Sequence, residues 1–250
     1  MDLGGKAAEL KLSNVPFCWV TIVKSSGSTP RGVGAKMIVT SNGSFGTIGG
    51  GALEHRAMED AREQMRRRTP ECRSYPLGPL LGQCCGGEVD LFMEPVIPPK
   101  PVHVFGAGHI AEALVPMLAE VGFSVTLIDE RPDRIGLPCF LNVPEKWNEL
   151  PSDVFGRIKF NDETHIIVIT HEHKHDEEIV RLCLDKPFKY LGCIGSRTKW
   201  EKFKARYRAQ GVTDEQIRRV STPIGLDIGA ETPFEIAVAI VAELIQLHAK

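Results

Sequence analysis

Two adjacent cysteines, Cys84 and Cys85, stand between Gln83 and the pair Gly86-Gly87. A thiolate flanked by glycine is accessible and soft, suited to sulfur transfer or to a soft metal; the other reading is a buried thiol acting as a small hydrophobe. A second cluster, Gly106-Ala107-Gly108-His109-Ile110-Ala111, follows a short apolar run, opens a helical pattern and has Asp129 downstream at the end of the next apolar run. Glycines there let the backbone turn tightly and approach a phosphate, a helix N-terminus offers free N–H groups, and an aspartate in that register can accept from a ribose hydroxyl. A third, Thr170-His171-Glu172-His173-Lys174-His175-Asp176, alternates histidine with other polar residues just past a strand. Imidazoles at that spacing suit zinc, although a plain polar loop with Asp176 capping the next helix has the same composition.

Smaller signals surround these. Gly195-Ser196-Arg197 closes a strand and opens a helix, so N–H groups, a hydroxyl and a guanidinium can meet one anion there, or it is a simple turn with a surface arginine. Ser28-Thr29-Pro30-Arg31-Gly32 and the triplet Gly49-Gly50-Gly51 before a helix are two further glycine-rich turns, each either an anion seat or a close backbone crossing. Pro223 to Ala230 is an apolar loop with two glycines, able to line a cofactor or to pack under the last helix.

The elements that must position these residues fall into two groups. Residues 16–24, 36–40, 71–77 and 88–94 have strand composition, and 52–68 is a helix with Leu53, Ala57, Ala61 and Met65 four apart. Glu94 to Pro101 holds four prolines in eight residues, which predicts an extended linker. Beyond it strands (102–105, 124–129, 165–170, 190–194) alternate with helices (110–121, 177–184, 199–210), the pattern of a parallel sheet covered on both faces. The last helix is announced by Thr232-Pro233-Phe234-Glu235, an N-cap, a proline at the first position and a glutamate three residues after the cap. The fold class is therefore α/β, with a small N-terminal α+β domain at 1–99 and a Rossmann-like parallel-sheet domain at 100–250.

Composition narrows the function. A net charge of -2 and a pI near 6.5 give no field for nucleic acid. The first residues lack the apolar core of a signal peptide and no run reaches the length of a membrane span, so neither membrane nor export is expected and the location is read as cytoplasmic. Seven cysteines, odd in number and scattered except for one pair, fit a reducing compartment.

Taken together the segments resemble the XdhC/CoxI family, accessory proteins for xanthine dehydrogenase and related molybdenum hydroxylases. The likeness lies in Gly27 to Arg31, Ile48-Gly49-Gly50-Gly51 with Glu54, Cys84-Cys85-Gly86-Gly87, Val104 to His109, Asp129 with Arg131, Thr170-His171, Ile194 to Arg197, and Pro223 to Gly229 leading into Thr232-Pro233 and Glu235. It implies a non-catalytic maturation factor that binds molybdenum cofactor (molybdopterin with its metal), holds it while a cysteine desulfurase supplies the sulfido ligand, and delivers it to the dehydrogenase. On that resemblance the cofactor-binding candidates are Ser28, Thr29, Arg31, Gly49, Gly50, Gly51, Cys84, Cys85, Gly106, Gly108, His109, Asp129, Arg131, His171, Gly195, Ser196 and Arg197, with Cys84 or Cys85 the molybdenum thiolate. A homodimer is expected. The histidine-rich string departs from the family's pattern. Two alternatives stay open: an NAD(P)-dependent oxidoreductase, from the glycine turn and Asp129, and a metal-dependent hydrolase, from the histidines.

Overall fold

The computed structural model describes residues 2–78 and 86–249, so Gln83, Cys84 and Cys85 lie outside the described residues. Contacts divide the chain into two compact units, Met1–Pro98 and Pro99–Lys250.

Unit 1 is an antiparallel sheet with a helix on each face. Its elements are α1 (Leu3–Leu12), β1 (Phe17–Ser26), β2 (Lys36–Thr40), β3 (Ser44–Gly46), α2 (Gly51–Arg67), β4 (Glu71–Pro76) and β5 (Glu88–Val96), with strand order β3-β2-β1-β5-β4. Alternation along the strands sorts the side chains. Val20, Ile22, Met37, Val39, Leu91 and Met93 meet Leu53, Ala57 and Ala61 of α2, while Phe17 and Ile38 meet Ala7 and Leu10 of α1. Helix α1 has no clear signal in the sequence, because Gly4 and Gly5 open it. Asp2 offsets their poor propensity by accepting from Gly4 N (2.9 Å) and Gly5 N (3.0 Å).

The proline segment is mostly strand rather than linker. β5 runs through Pro95, which pairs with Cys18 of β1, and the pairing with β4 ends earlier at Glu71–Met93, so the missing N–H leaves no partner unserved. Pro101 belongs to the next strand at a position where only one neighbour has begun to pair.

Unit 2 is a doubly wound parallel sheet. It comprises β6 (Lys100–Phe105), α3 (His109–Glu120), β7 (Phe123–Ile128), α4 (Pro132–Ile135), β8 (Glu145–Trp147), α5 (Pro151–Val154), β9 (His165–Val168), α6 (His173–Cys183), β10 (Tyr190–Cys193), α7 (Arg197–Ala209), α8 (Asp214–Arg218), β11 (Val220–Ser221) and α9 (Pro233–His248). The order β11-β10-β9-β6-β7-β8, parallel throughout, is the dinucleotide-fold order of strands 3-2-1-4-5-6 read in reverse. One face packs Val102, Val104, Leu127 and Ile167 against Leu114, Leu118, Ile240 and Leu244 of α3 and α9. The other packs Phe105, Ile166, Val168 and Leu191 against Ile179, Val180, Phe203 and Tyr207 of α6 and α7. Thr232 and Glu235 form the expected capping box at the start of α9. Helix α6 starts at His173, four residues before the expected start, so His173 and His175 lie in its first turn while His171 precedes it in the connection from β9. Among the described residues no helix is long and apolar enough to cross a membrane.

At the amino-terminal end of this sheet His165 is fully buried, its Nδ1 3.1 Å from Pro101 O and its Nε2 2.9 Å from His248 Nε2. Burial, helped by the charges of Lys100 and Lys189 and opposed by backbone hydrogen bonds, lowers its pKa from 6.5 to about 4. The unfolded chain therefore binds the proton more tightly, and the stability that neutral His165 contributes is full above about pH 6.5 and drains as pH falls toward 4. Between pH 7 and pH 5 this amounts to about 2 kcal/mol. Urea unfolding at the two pH values should show that loss in the wild type and a loss smaller by about that amount in His165→Asn; equal losses would contradict the assignment.

Candidate functional site

The carboxyl ends of β6 and β9 form the switch point of the unit 2 sheet, since the chain leaves β6 through α3 on one face and β9 through α6 on the other. Open α/β sheets bind their ligands in the crevice at that point. Gly106 leaves β6 with φ +112°, a region that favours glycine. A β-carbon on it would overlap the carbonyl oxygen of Ile169, 2.7 Å from the Ile169 carbonyl carbon and 2.9 Å from Thr170 Cα. Gly108 differs: its φ is -80° and a β-carbon there meets nothing within 4 Å. It begins α3 without a side-chain cap, so the first-turn N–H groups of that helix have no side-chain acceptor. Ala111, at the third fingerprint position, is fully buried against the sheet.

Asp129 directly follows β7 and is almost fully buried. It accepts from Ala107 N (2.6 Å), Arg131 N (2.9 Å), Arg131 Nε (2.9 Å) and an Arg131 terminal nitrogen (2.7 Å). Burial alone would raise its pKa; the Arg131 guanidinium and the two backbone N–H groups outweigh that and hold the carboxyl below its ordinary value. Arg134 donates to Ala107 O at 3.1 Å, so the Ala107 peptide is gripped on both sides. This corrects the reading of Asp129 as a ribose acceptor: its lone pairs are spent on the turn itself. Arg134 is not among the candidates that the sequence marks; the signal for it is an arginine one helical turn past the Asp129-Arg131 pair.

The exits of β9 and β10 are tied by a second buried carboxylate. Asp176 Oδ1 accepts from Thr170 N (3.1 Å) and Thr170 Oγ1 (2.7 Å), and its Oδ2 lies 2.7 Å from Lys199 Nζ, which also donates to Ile194 O at 3.1 Å. Asp176 is therefore not a helix cap but a brace from inside the first turns of α6, and Lys199 is a residue that sequence spacing does not mark. Ser196 caps α7 by accepting from Lys199 N at 3.2 Å, and Arg197 is exposed at its first position. His109 is exposed at the start of α3. His171 and His175 share Glu172, at 3.6 Å and 3.8 Å from their Nε2 atoms, His171 Nε2 also lying 3.5 Å from Glu130, while His173 Nδ1 is 3.7 Å from Asp176. Among the described residues no three His, Cys, Asp or Glu side chains are grouped to hold a metal ion. The Pro223–Ala230 loop packs on the last helix, Leu226 N donating to Ala239 O at 3.1 Å and Gly225 N to Glu243 Oε2 at 2.8 Å.

In unit 1 three motifs distant in sequence meet. A β-carbon on Gly87 would overlap Ser28 O and stand 2.8 Å from Ser26 O, so the segment after Cys85 crosses the Ser28 loop backbone to backbone. Leu77 N donates to Gly87 O (2.7 Å) and Gly86 N to Leu77 O (3.1 Å). Pro30 packs directly on Gly49, with its Cβ 2.9 Å from where a Gly49 β-carbon would lie. Ser28 and Arg31 are exposed and Thr29 half-buried. The anion seat expected at Gly49 to Gly51 already holds the chain's own carboxylate: Glu54 Oε1 accepts from Ile48 N (2.9 Å), Gly49 N (3.2 Å), Gly50 N (2.8 Å) and the Thr47 hydroxyl. Those donors outweigh burial and hold Glu54 below the usual carboxylate range.

Two families match the chain. One described as the XdhC Rossmann domain covers residues 102–244, and one described as the XdhC and CoxI family covers residues 10–76. Among curated proteins, Escherichia coli (strain K12) "Uncharacterized protein YqeB" is 31% identical over 256 residues, taking in 99% of this chain and 46% of that protein. A Bacillus subtilis (strain 168) protein, described as a probable component of xanthine dehydrogenase, is 29% identical over 157 residues, 63% of this chain and 46% of that one. The chain thus spans about half the length of the curated relatives it matches. A crystal structure described as a xanthine dehydrogenase from Bacillus halodurans shares the fold, with a TM-score of 0.56 at 22% identity, over 99% of this chain and 96% of that chain.

The contrast between the two glycines of the turn is directly measurable. Gly106→Ala forces a side chain into a backbone crossing at a strained φ and should destabilise unit 2 by at least about 2 kcal/mol, whereas Gly108→Ala should leave thermal unfolding nearly unchanged. Equal midpoints for the two variants would contradict the crossing.

Proposed function

The chain belongs to the XdhC and CoxI family, and from that premise we propose that it is a xanthine dehydrogenase accessory protein that binds molybdenum cofactor, supports its sulfuration and hands it to the dehydrogenase or a related molybdenum hydroxylase. The observation that carries the reading is the α3 entry: Gly108 opens onto free space and the first-turn N–H groups lack a side-chain cap, a seat that fits the phosphate of a pterin. The name of the Bacillus subtilis relative supports the choice of client.

In this reading the residues of the chain bind and position rather than react. The Ala107 peptide, clamped by Asp129 and Arg134, keeps the turn preformed, so little ordering is lost when a phosphate docks. Asp176 and Lys199 hold the β9 and β10 exits as the far wall of the crevice. When bound, the cofactor would supply a soft metal centre, and a thiolate is the donor type that would hold it; Cys84 and Cys85 are the thiolates proposed for that role. A cysteine desulfurase is the sulfur source and a homodimer the working assembly. The NAD(P)-dependent oxidoreductase alternative draws on the same turn, but a dinucleotide loses its usual ribose acceptor here because the Asp129 carboxylate is buried and fully engaged.

Purification from cells that synthesise molybdenum cofactor, with molybdenum by elemental analysis and pterin by fluorescence after oxidation, tests the reading. Wild type should carry both, Gly108→Val should keep its fold and lose most of both, and Cys84→Ala/Cys85→Ala should keep its fold and lose molybdenum. Wild-type pterin in Gly108→Val would remove the glycine turn from the site; full molybdenum in the cysteine variant would remove the thiolates.

A further inference from the structure

Between the first turns of α6 and α7 unit 2 has a cavity of about 450 Å³, within the range of small-molecule sites. Its lining includes the buried Phe203, with the Lys199 ammonium 5.3 Å from the ring centroid. Lys174 and Glu177 line it from α6, and Thr198, Lys202 and Arg206 from α7.

The charges in this cavity do not cancel. Arg206 is paired with Glu177, and Lys199 with the buried Asp176 beneath it. Lys174 and Lys202, both exposed at its rim, form no ion pair among the described residues, and both line the same space as the exposed Thr198. Two unspent ammonium groups and a hydroxyl match a phosphoryl group, which carries about two negative charges and three acceptor oxygens at neutral pH. A carboxylate offers one charge and two oxygens, and would leave one lysine uncompensated.

We propose that the α6–α7 cavity is a second anion site, distinct from the glycine turn on α3, that takes the phosphoryl group of a small phosphorylated molecule through Lys174 and Lys202. The cavity borders the cofactor crevice, sharing Lys199 and Ser196 with its β10 side, but Lys174 and Lys202 belong to neither the Gly106–Gly108 turn nor the Asp129 clamp, so variants at those two lysines test this site separately from the cofactor reading.

The test is calorimetric titration of the intact chain with pyrophosphate and with inorganic phosphate at low ionic strength, against chloride of matched ionic strength. Lys174→Glu/Lys202→Glu should weaken binding about tenfold or more, as expected when a charge-assisted contact is replaced by repulsion. Lys174→Gln/Lys202→Gln should give a smaller loss, and Lys11→Glu/Lys24→Glu, with the same change in net charge on unit 1, should bind as wild type does. Gly108→Val should retain this binding while failing to retain pterin, which separates the two seats. In amide NMR spectra the shifts on adding pyrophosphate should centre on residues 174–177 and 196–206. The proposal is overturned if wild type binds no better than the chloride control explains, if the cavity variants bind unchanged, or if Gly108→Val alone abolishes binding.

Discussion

The crossing of Gly106 over Ile169 and Thr170 is the constraint on which unit 2 depends. Strands β6 and β9 pair in register to their last residues, so the segments leaving them must pass within backbone contact before turning to opposite faces of the sheet. Only a residue without a β-carbon, at positive φ, fits between them. Everything at the carboxyl edge follows from that passage: α3 starts three residues later, Asp129 reaches across to Ala107, and Thr170 stands where Asp176 can hold it.

Two buried carboxylates do parallel work on either side of the crossing. Asp129 binds the α3 turn to the end of β7, and Asp176 binds the end of β9 to the end of β10 through Lys199. Each is satisfied by several donors, which is what makes burial of a charge tolerable. Breaking either leaves an uncompensated group at the crevice, so these residues act on a ligand by fixing the walls around it. Glu54 plays the same part in unit 1, where it fills the nest at Ile48 to Gly50 and fixes the start of α2 next to the Pro30 contact.

Much of this architecture is legible in the residues. The alternation after residue 100 fixes a parallel sheet because strand and helix periods differ, and Thr232 with Glu235 marks the last helix because their side chains satisfy each other's backbone donors. Other elements carry no local signal. β8 is three residues, Glu145–Trp147, held by pairing with β7 rather than by composition, and the prolines near 95 and 101 read as a linker because their missing donors fall at unpaired positions that only the sheet reveals. The role of Asp129 is hidden for a related reason: its fingerprint spacing is the same whether it faces a ribose or the Ala107 amide. The meeting of Ser28, Gly49 and Gly87 joins segments far apart in sequence, and no spacing rule expresses it.

The cofactor account stands or falls on transfer. Chain purified with its bound molybdenum and pterin, stripped of free cofactor by gel filtration, should restore activity to cofactor-free xanthine dehydrogenase on mixing, with molybdenum moving from one protein to the other. Failure to restore activity under conditions where free molybdenum cofactor does so would contradict the account.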